Sequence, residues 1–201
     1  MKLISVNVGL PREVEWKGKI ISTGIFKEPV GNRVMVRALN LDGDGQADLT
    51  VHGGLDKAVY VYPFEHYDYW RSELPDIELT LGMFGENFTT TGLKEDELNI
   101  GDRFQIGTVE LMVTQPRLPC YKLGIRFGQA DMVKRFLASR RTGFYFRVLQ
   151  EGEVGTGDIL EPVSRDDNNI TVADITQLYV REHDNPELLH RAAQLDVQPL
   201  K

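Results

Sequence analysis

Apolar residues occur along this chain mostly in short runs broken by glycine, and several of the runs alternate with polar residues. Near the N-terminus these runs are KLISVNV, KIIST and RVMVRALNL. Short runs of this kind, bounded by turn residues, predict β-strands. RFQIGTVELMVT, residues 103–114, alternates on both sides of Gly107 and Thr108, which predicts a hairpin. GFYFRVL predicts another strand, followed by the turn EGEVGTGD and a further hairpin.

Helical spacing interrupts this β-rich pattern in two places. Residues 63–73 are predicted to form a helix with Pro63 in its first turn, because a proline is tolerated there. The apolar positions of its buried face are Phe64, Tyr67, Trp70 and Leu74. Residues 130–139 predict a second helix, with one apolar face at Met132, Val133, Phe136 and Leu137. Core packing explains the aromatic stripe of the first helix.

The C-terminal region has helix-start signals instead of strand signals. Thr171 and Asp174 have the spacing of a capping box, and Asn185 followed by Pro186 predicts the start of another helix. The two helices predict a small helical hairpin. With strands and few, scattered helices, the chain is predicted to be α+β and β-rich, with a β-barrel-like core and a small C-terminal helical segment.

Composition and charge exclude several classes of function. The 201 residues carry a formal net charge of −7, which disfavours a nucleic-acid or acidic-membrane binder. The longest apolar runs fall short of the roughly 20 residues that span a bilayer, and Arg12 follows the N-terminal run too early for a secretory signal. We therefore expect a cytoplasmic protein without a membrane segment.

A single cysteine, Cys120, limits the redox chemistry that the chain can perform alone. One cysteine excludes an internal disulfide, a CxxC zinc site and a four-cysteine iron–sulfur cluster. Cys120 lies in QPRLPCYKL, just beyond the predicted hairpin. The two prolines predict a stiff loop, and the positive charge of Arg117 and Lys122 favours a thiolate. A small buried hydrophobic residue is the alternative interpretation of Cys120.

Other polar segments are compatible with either a ligand or an ordinary turn. VHGGLDK places His52, Asp56 and Lys57 beside two glycines, an arrangement that suits an anion or a simple turn with an ion pair. FGENFTTTGL offers Asn87 to a heterocycle, although the same residues form turns. DGDGQAD begins like a calcium loop but has Ala47 where the loop needs glycine, so it is predicted to be a turn.

These segments together resemble the MOSC domain, the domain named for the C-terminal region of molybdenum-cofactor sulfurases. The segments that carry the resemblance are VHGGLDKAVYVYP, FGENFTTTGL, IGDRFQIG, TQPRLPCYKL and GFYFRVLQEGEVGTGD. The chain is most similar to the stand-alone bacterial branch whose members resist N-hydroxylated base analogues. The resemblance implies a MOSC domain over residues 1–163 and a helical hairpin over residues 164–201.

The resemblance also implies a pocket for the molybdenum cofactor, a pterin (molybdopterin) that carries a dithiolene and a phosphate. Cys120 matches the family's cysteine and is expected to be the metal ligand and the catalytic residue, since a thiolate is a soft ligand. We add Arg147, because the planar fork of arginine suits phosphate recognition. The expected cofactor-binding residues are His52, Asp56, Lys57, Asn87, Arg117 and Arg147.

Two functions are compatible with this resemblance. The first is an enzyme that reduces N-hydroxylated small molecules such as N-hydroxylated nucleobases, with electrons from a separate flavin or iron–sulfur protein. The second is a carrier that holds the cofactor, or sulfur as a Cys120 persulfide, without turnover. True sulfurases have an aminotransferase-like domain with pyridoxal phosphate, for which we expect no room here. A β-rich binding module in which the cysteine only packs is the third interpretation.

Overall fold

The computed structural model describes residues 1–48, 53–181 and 185–195. Within these ranges the strands are Lys2–Val8 (β1), Arg12–Trp16 (β2), Lys19–Thr23 (β3), Glu28–Pro29 (β4), Val34–Val36 (β5), Val59–Pro63 (β6), Phe88–Thr91 (β7), Arg103–Ile106 (β8), Val109–Pro116 (β9), Phe144–Gln150 (β10), Gly152–Val154 (β11) and Leu160–Ser164 (β12). The helices are Glu65–Glu73 (α1), Tyr121–Phe127 (α2), Met132–Ser139 (α3), Val172–Val180 (α4) and Pro186–Ala192 (α5).

Most of the strands belong to one mixed sheet. Its order is β12-β8-β9-β10-β6-β7-β1-β4, in which only β6 and β7 run parallel. β8 and β9 form the predicted hairpin, with Ile106 opposite Val109. Phe144 at the start of β10 pairs with Pro116 on one side and with Val61 on the other. The C-terminal end of β9 is therefore held next to β10 and β6.

The ladders among the described residues form an open sheet and not a closed barrel. Lys2 nevertheless forms an isolated bridge with Ile159, directly before β12, and Leu3 N donates to Asp158 O (2.9 Å). These contacts link β1, near one edge of the sheet, to β12 at the other edge. The α+β, β-rich class is thus confirmed, while the core is an open sheet whose two ends approach each other at this bridge.

The main hydrophobic core includes residues from both the sheet and the C-terminal helices. Thr171 and Asp174 form the predicted capping box, with Asp174 N donating to Thr171 Oγ1 (3.1 Å) and Thr171 N to Asp174 Oδ2 (2.9 Å). Asn185 accepts from Leu188 N (3.1 Å) and begins α5 with Pro186, as predicted. The buried residues that this region adds to the core are Ile170, Val172, Ile175, Leu178 and Leu188.

A second buried cluster is aromatic and includes the inner face of α1. Trp70 Nε1 donates to the hydroxyl of Tyr62 (2.7 Å), and the ring of Tyr62 stacks on Phe84 with centroids 4.4 Å apart. The predicted face of α1 is confirmed, because Tyr67, Trp70 and Leu74 are buried. Pro63 was wrongly predicted in the first turn of this helix. It ends β6 opposite Thr90 of β7, and the helix begins two residues later.

The pairing of the short strands differs from the sequence prediction. In RVMVRALNL only Val34–Val36 forms a strand, and this strand pairs with β11. The hairpin expected after EGEVGTGD does not form: β11 pairs with β5 and β12 pairs with β8. Both pairings join segments far apart in sequence, which local periodicity cannot reveal. Within the described ranges, every helix is too short or too polar to cross a membrane.

Candidate functional site

An open pocket lies beside Cys120, with an empty space of about 620 Å³ that includes the solvent at its mouth. Residues after β3, the turn at Gly45–Ala47 and the segment at Gly85–Asn87 form part of its wall. The side chains that give it its chemical character are Lys27, Lys57, Tyr60, Arg117, Cys120, Lys122 and Tyr145. The pocket therefore combines one thiol with four cations and two phenols.

Cys120 occupies the junction between β9 and α2. It follows the end of β9 by four residues, as predicted, and is the N-cap residue of α2. Its carbonyl accepts from Leu123 N (3.0 Å), and its side chain is partly buried. The sequence predicted a loop through Leu123, but the helix already starts at Tyr121. Strand and helix thus fix the backbone on both sides of the thiol.

Arg117 is a buried cation without a carboxylate partner in the part of the chain that the structure describes. Its guanidinium carbon lies 5.2 Å from the ring centroid of Tyr60 and 5.3 Å from that of Phe136. Arg117 is only 6% exposed to solvent, and its Nη1 is buried without a hydrogen-bond acceptor among the described residues. An unsatisfied buried donor is costly, so this group is prepared for an anion.

The pocket is positive although the whole chain is negative. Lys57, Arg117 and Lys122 line it, and none of them forms an ion pair with a carboxylate of residues 1–48, 53–181 or 185–195. The formal net charge of the chain is −7. Such a local excess of cations attracts a small anionic ligand more than an extended polyanion.

Lys27 is the remaining cation of the pocket, and the sequence analysis missed it. Its Nζ donates to Asp44 Oδ1, and both side chains are buried. Burial lowers the pKa of Lys27 below its ordinary value, while the negative charges of Asp44 and Glu86 oppose this shift. Asp44 belongs to DGDGQAD, so the predicted turn also supplies a buried counter-ion. No local motif marks Lys27, because its partner is 17 residues away.

The side chain of Asn87 already forms hydrogen bonds within the protein. Its Oδ1 accepts from Tyr60 N (3.1 Å), and its Nδ2 donates to Asp44 Oδ2 (2.9 Å) and Asn7 O (3.4 Å). Asn87 lines the pocket, but these bonds indicate that it orients the surrounding wall. It joins β1, β6 and the turn that carries Asp44.

Asp56 and Arg147 lie apart from the lining of this pocket and bind each other. Arg147 Nε donates to Asp56 Oδ1 (2.8 Å), and its Nη2 makes a second bond to the same oxygen. Asp56 O also accepts from Thr114 Oγ1 (2.7 Å). The pair fastens the turn before β6 to β10 and thereby places the neighbouring Lys57. His52 lies outside the described residues.

Tyr60 and Tyr145 are further pocket residues that the sequence analysis missed. Their ring centroids are 5.4 Å apart, and the hydroxyl of Tyr60 donates to Thr142 O (2.9 Å). Burial raises the pKa of both phenols, which keeps them protonated near neutral pH. Both occur in apolar strands, where an aromatic residue looks like core. Their lining position follows from pairing of β6 with β10, where Tyr60 is opposite Tyr145.

Glu86 supports the pocket wall from inside the protein. It is fully buried, and burial raises its pKa. Four donors converge on its carboxylate: the Tyr67 hydroxyl, Thr89 Oγ1 (2.9 Å), Gly82 N (3.0 Å) and Phe84 N (3.1 Å). The neighbouring Gly85 and Asn87 line the pocket. Glu86 therefore holds the backbone of the segment Gly85–Asn87 in place.

We expect Glu86→Gln to destabilise the protein by about 1–3 kcal/mol, because the amide brings a donor into a site made of donors. Urea denaturation measures the change. Glu78→Gln is the matched control, since Glu78 is exposed and the same substitution there costs nothing comparable. Equal stability of the two variants would show that the four bonds to Glu86 are not important for folding.

Comparison with known proteins decides the family. The sequence model of the MOSC domain family matches residues 48–161, which are more than half of the chain. The matched region includes Lys57, Asn87, Arg117 and Cys120. The chain belongs to the MOSC domain family. The relationship predicted from the motifs is thereby confirmed. Part of the pocket wall, at Thr23–Lys27 and Gly45–Ala47, precedes the matched region.

Relatives extend this similarity beyond the matched MOSC region. YflK of Bacillus subtilis (strain 168) is 48% identical over 170 residues, which are 85% of this chain and 76% of YflK. YiiM of Escherichia coli (strain K12) is 40% identical over 156 residues, 77% of this chain and 67% of YiiM. A protein of Gibberella moniliformis (strain M3125 / FGSC 7600) named "Reductase" is 32% identical over 201 residues; the match covers 98% of this chain and 36% of that protein.

The fold is that of a solved MOSC relative. The crystal structure of YiiM from Geobacillus stearothermophilus matches with a TM-score of 0.81 and 34% identity, over 98% of this chain and 92% of that one. YiiM from Escherichia coli matches with a TM-score of 0.78 and 29% identity, over 100% and 88% of the two chains. The similarity therefore covers the C-terminal helices as well as the sheet.

Proposed function

We propose that this MOSC protein binds the molybdenum cofactor in the Cys120 pocket and reduces N-hydroxylated compounds such as N-hydroxylated nucleobases. The observation that carries the proposal is the pairing, in one pocket, of a thiol with a buried guanidinium that has an unsatisfied Nη1. The reductase name of the fungal relative supports the type of reaction. We further propose that the protein acts in the cytoplasm.

The residues present fit the cofactor. Cys120 offers a soft thiolate ligand to molybdenum, and Lys57, Arg117 and Lys122 offer donors to the phosphate of the pterin. In the described ranges, no cluster of three or more His, Cys, Asp or Glu side chains could hold a metal ion by itself. The bound cofactor would supply two-electron transfer.

The proposed reaction consumes two electrons and two protons for each N–O bond broken. The oxygen leaves as water, and the nitrogen keeps its remaining substituents as the amine or imine. We propose that the electrons come from a separate flavin or iron–sulfur protein, since the one cysteine of this chain cannot hold a four-cysteine iron–sulfur cluster. The chain itself must orient the N-hydroxylated group, exclude bulk water and deliver protons. Tyr60 and Tyr145 provide aromatic surface for a planar base.

Lys27 is the proposed proton donor to the departing oxygen. Lys27 lines the pocket, and its ammonium forms an ion pair with the buried Asp44. We expect activity to fall as pH rises through the lowered pKa of Lys27, since the donor must be protonated. Lys27→Arg, whose guanidinium stays protonated, should lose about 100-fold in kcat and also lose this alkaline decline. pH–rate profiles measure both effects. An unchanged alkaline limb in Lys27→Arg would exclude Lys27 as the donor.

The proposed function is tested by measuring how much cofactor the protein binds and whether it reduces the substrate. The chain is purified from a host that makes the cofactor, molybdenum and pterin are measured per protein, and reduction of an N-hydroxylated purine is assayed with an artificial electron donor. We expect near-stoichiometric metal and donor-dependent formation of the amine. Stoichiometric metal without turnover would favour a cofactor carrier. An added sulfur on Cys120 in the intact mass, without metal, would favour a sulfur carrier.

A further inference from the structure

Two arginines share one aromatic ring beside the Cys120 pocket. The guanidinium carbon of Arg12 lies 3.8 Å from the ring centroid of Phe26, and that of Arg126 lies 5.0 Å from it. Neither guanidinium has an ion pair or a hydrogen bond within residues 1–48, 53–181 and 185–195. Nε of Arg126 is buried and lacks an acceptor among the described residues.

The buried donor of Arg126 is costly without an acceptor, although the contact of both guanidinium groups with the Phe26 ring is attractive. Burial, and after it the positive charge of Arg12, lower the pKa of Arg126. Glu28 and Glu86 act on Arg126 electrostatically, but the carboxylate of Glu86 is already bound by four donors. An isolated surface arginine would turn toward solvent. Arg126 instead keeps a donor buried and unsatisfied, which an anion would satisfy.

Neither arginine lines the pocket itself, but both lie next to segments whose residues do. Phe26 is between Ile25 and Lys27, which both line it. Lys122, another lining residue, precedes Arg126 by one turn of α2, so the two share a helix face. Arg12 follows Pro11, which packs against the lining residue Gly45. A Cβ atom placed on Gly45 would lie only 2.8 Å from the Cδ atom of Pro11. Arg12 is exposed, and Arg126 is partly buried.

We propose that Arg12 and Arg126 bind a phosphate monoester of a ligand that occupies the Cys120 pocket. This site is separate from Arg117, which lies over Tyr60 and Phe136 inside the pocket. Two arginine forks match the charge and the several acceptor oxygens of a phosphate better than a single carboxylate. The proposal rests on the proposed function for the identity of the ligand, but not for the phosphate chemistry.

The phosphate has two possible sources, which the experiment separates. It belongs either to the substrate, which is then an N-hydroxylated nucleotide instead of a free base, or to the cofactor. The net charge of −7 makes a nucleotide a better ligand than a nucleic-acid strand. We expect the substrate to be the source, because Lys57 and Arg117 line the pocket and already offer donors to the phosphate of the cofactor.

Binding is measured first, on the full chain made in a host that lacks the cofactor. Calorimetry with adenosine 5′-monophosphate and with inorganic phosphate compares the wild type with Arg12→Gln, Arg126→Gln and the double variant. We expect about tenfold weaker binding for each arginine removed. Arg71→Gln is the matched control, since Arg71 also lies over an aromatic ring (5.6 Å from Phe64) but on the exposed side of α1. Equal affinities of the wild type and the double variant would overturn the site.

Stability separates a binding role from a structural one. Because Arg126 has an unsatisfied donor, we expect Arg126→Gln to melt at the same temperature as the wild type or higher. Weaker phosphate binding at unchanged melting temperature supports the proposal. A lower melting temperature, with phosphate affinity unchanged, would show that the arginines only pack on Phe26 and would overturn it.

The source of the phosphate is determined on the loaded protein. An N-hydroxylated adenine, its nucleoside and its nucleoside 5′-monophosphate are compared by kcat/KM, together with pterin and molybdenum content. A preference for the monophosphate that the double variant loses, at unchanged cofactor content, supports the substrate as source. Loss of cofactor with unchanged preference supports the cofactor as source. Failure of the proposed function would appear as no turnover of any compound, whereas the calorimetric result is independent of turnover.

Discussion

Replacing Cys120 by serine is expected to lower molybdenum content and donor-dependent activity by more than about 100-fold. Losing even an outer partner of a metal ligand costs 10–100-fold, and the hydroxyl is a much harder and less acidic ligand than a thiol. The substitution replaces the sulfur atom by oxygen and changes the side-chain volume very little. It therefore leaves the junction of β9 and α2 intact, with the Cys120 carbonyl still accepting from Leu123 N.

The measurements are metal and pterin content, turnover, and melting temperature of the unloaded chain. Tyr121→Phe is the control, because Tyr121 is the exposed neighbour of Cys120 and the change leaves the thiol in place. Retention of molybdenum by Cys120→Ser at the wild-type level would contradict the ligand role. A similar loss in Tyr121→Phe would show that the effect comes from the loop and not from sulfur.

Replacing Lys27 by methionine is expected to destabilise the protein by about 3–5 kcal/mol, because it removes one partner of a buried ion pair. The carboxylate of Asp44 stays fully buried, and its remaining donors within the described residues are Gly9 N (3.0 Å) and Asn87 Nδ2 (2.9 Å). Lys27→Met/Asp44→Leu removes both charges, and we expect it to recover part of the loss. Urea denaturation of the single and double variants measures the coupling.

Lys19→Met is the matched control for the same chemical change on an exposed lysine of β3. Its expected effect lies within about 0.5 kcal/mol. If Lys27→Met were as mild as this control, the ion pair would be dispensable for folding. Lys27 would then be retained for the chemistry of the pocket alone.

The sequence predicted the elements of this protein better than their pairing. The stripe of α1, the hairpin of β8 and β9 and the capping box at Thr171 all depend on neighbours within a few residues, and all three are confirmed. The partner of β11 is β5, more than 100 residues earlier. The sequence around each strand gives no sign of this pairing, since β5 and β11 are each only three residues long.

The candidate site was predicted in part for the same reason. Lys57, Asn87, Arg117 and Cys120 lie in recognisable segments and line the pocket. Asp56 and Arg147 were expected there too, but they bind each other across a separation of 91 residues. Lys27 has no motif, and Asp44 looked like an ordinary turn residue. Their roles arise from burial, which depends on the whole fold.

The β2–β3 hairpin reaches the pocket wall without supplying a strand to the eight-stranded sheet. Within the described part of the chain it forms its own two-stranded sheet, apart from the ladders of the eight-stranded one. Yet it starts at Arg12 and ends at Thr23, a residue of the pocket wall. Grafting this segment between MOSC proteins would therefore make chimeras that differ at the mouth of the site and keep the same central sheet. Ligand preference can diverge here by transfer of twelve consecutive residues, Arg12 to Thr23.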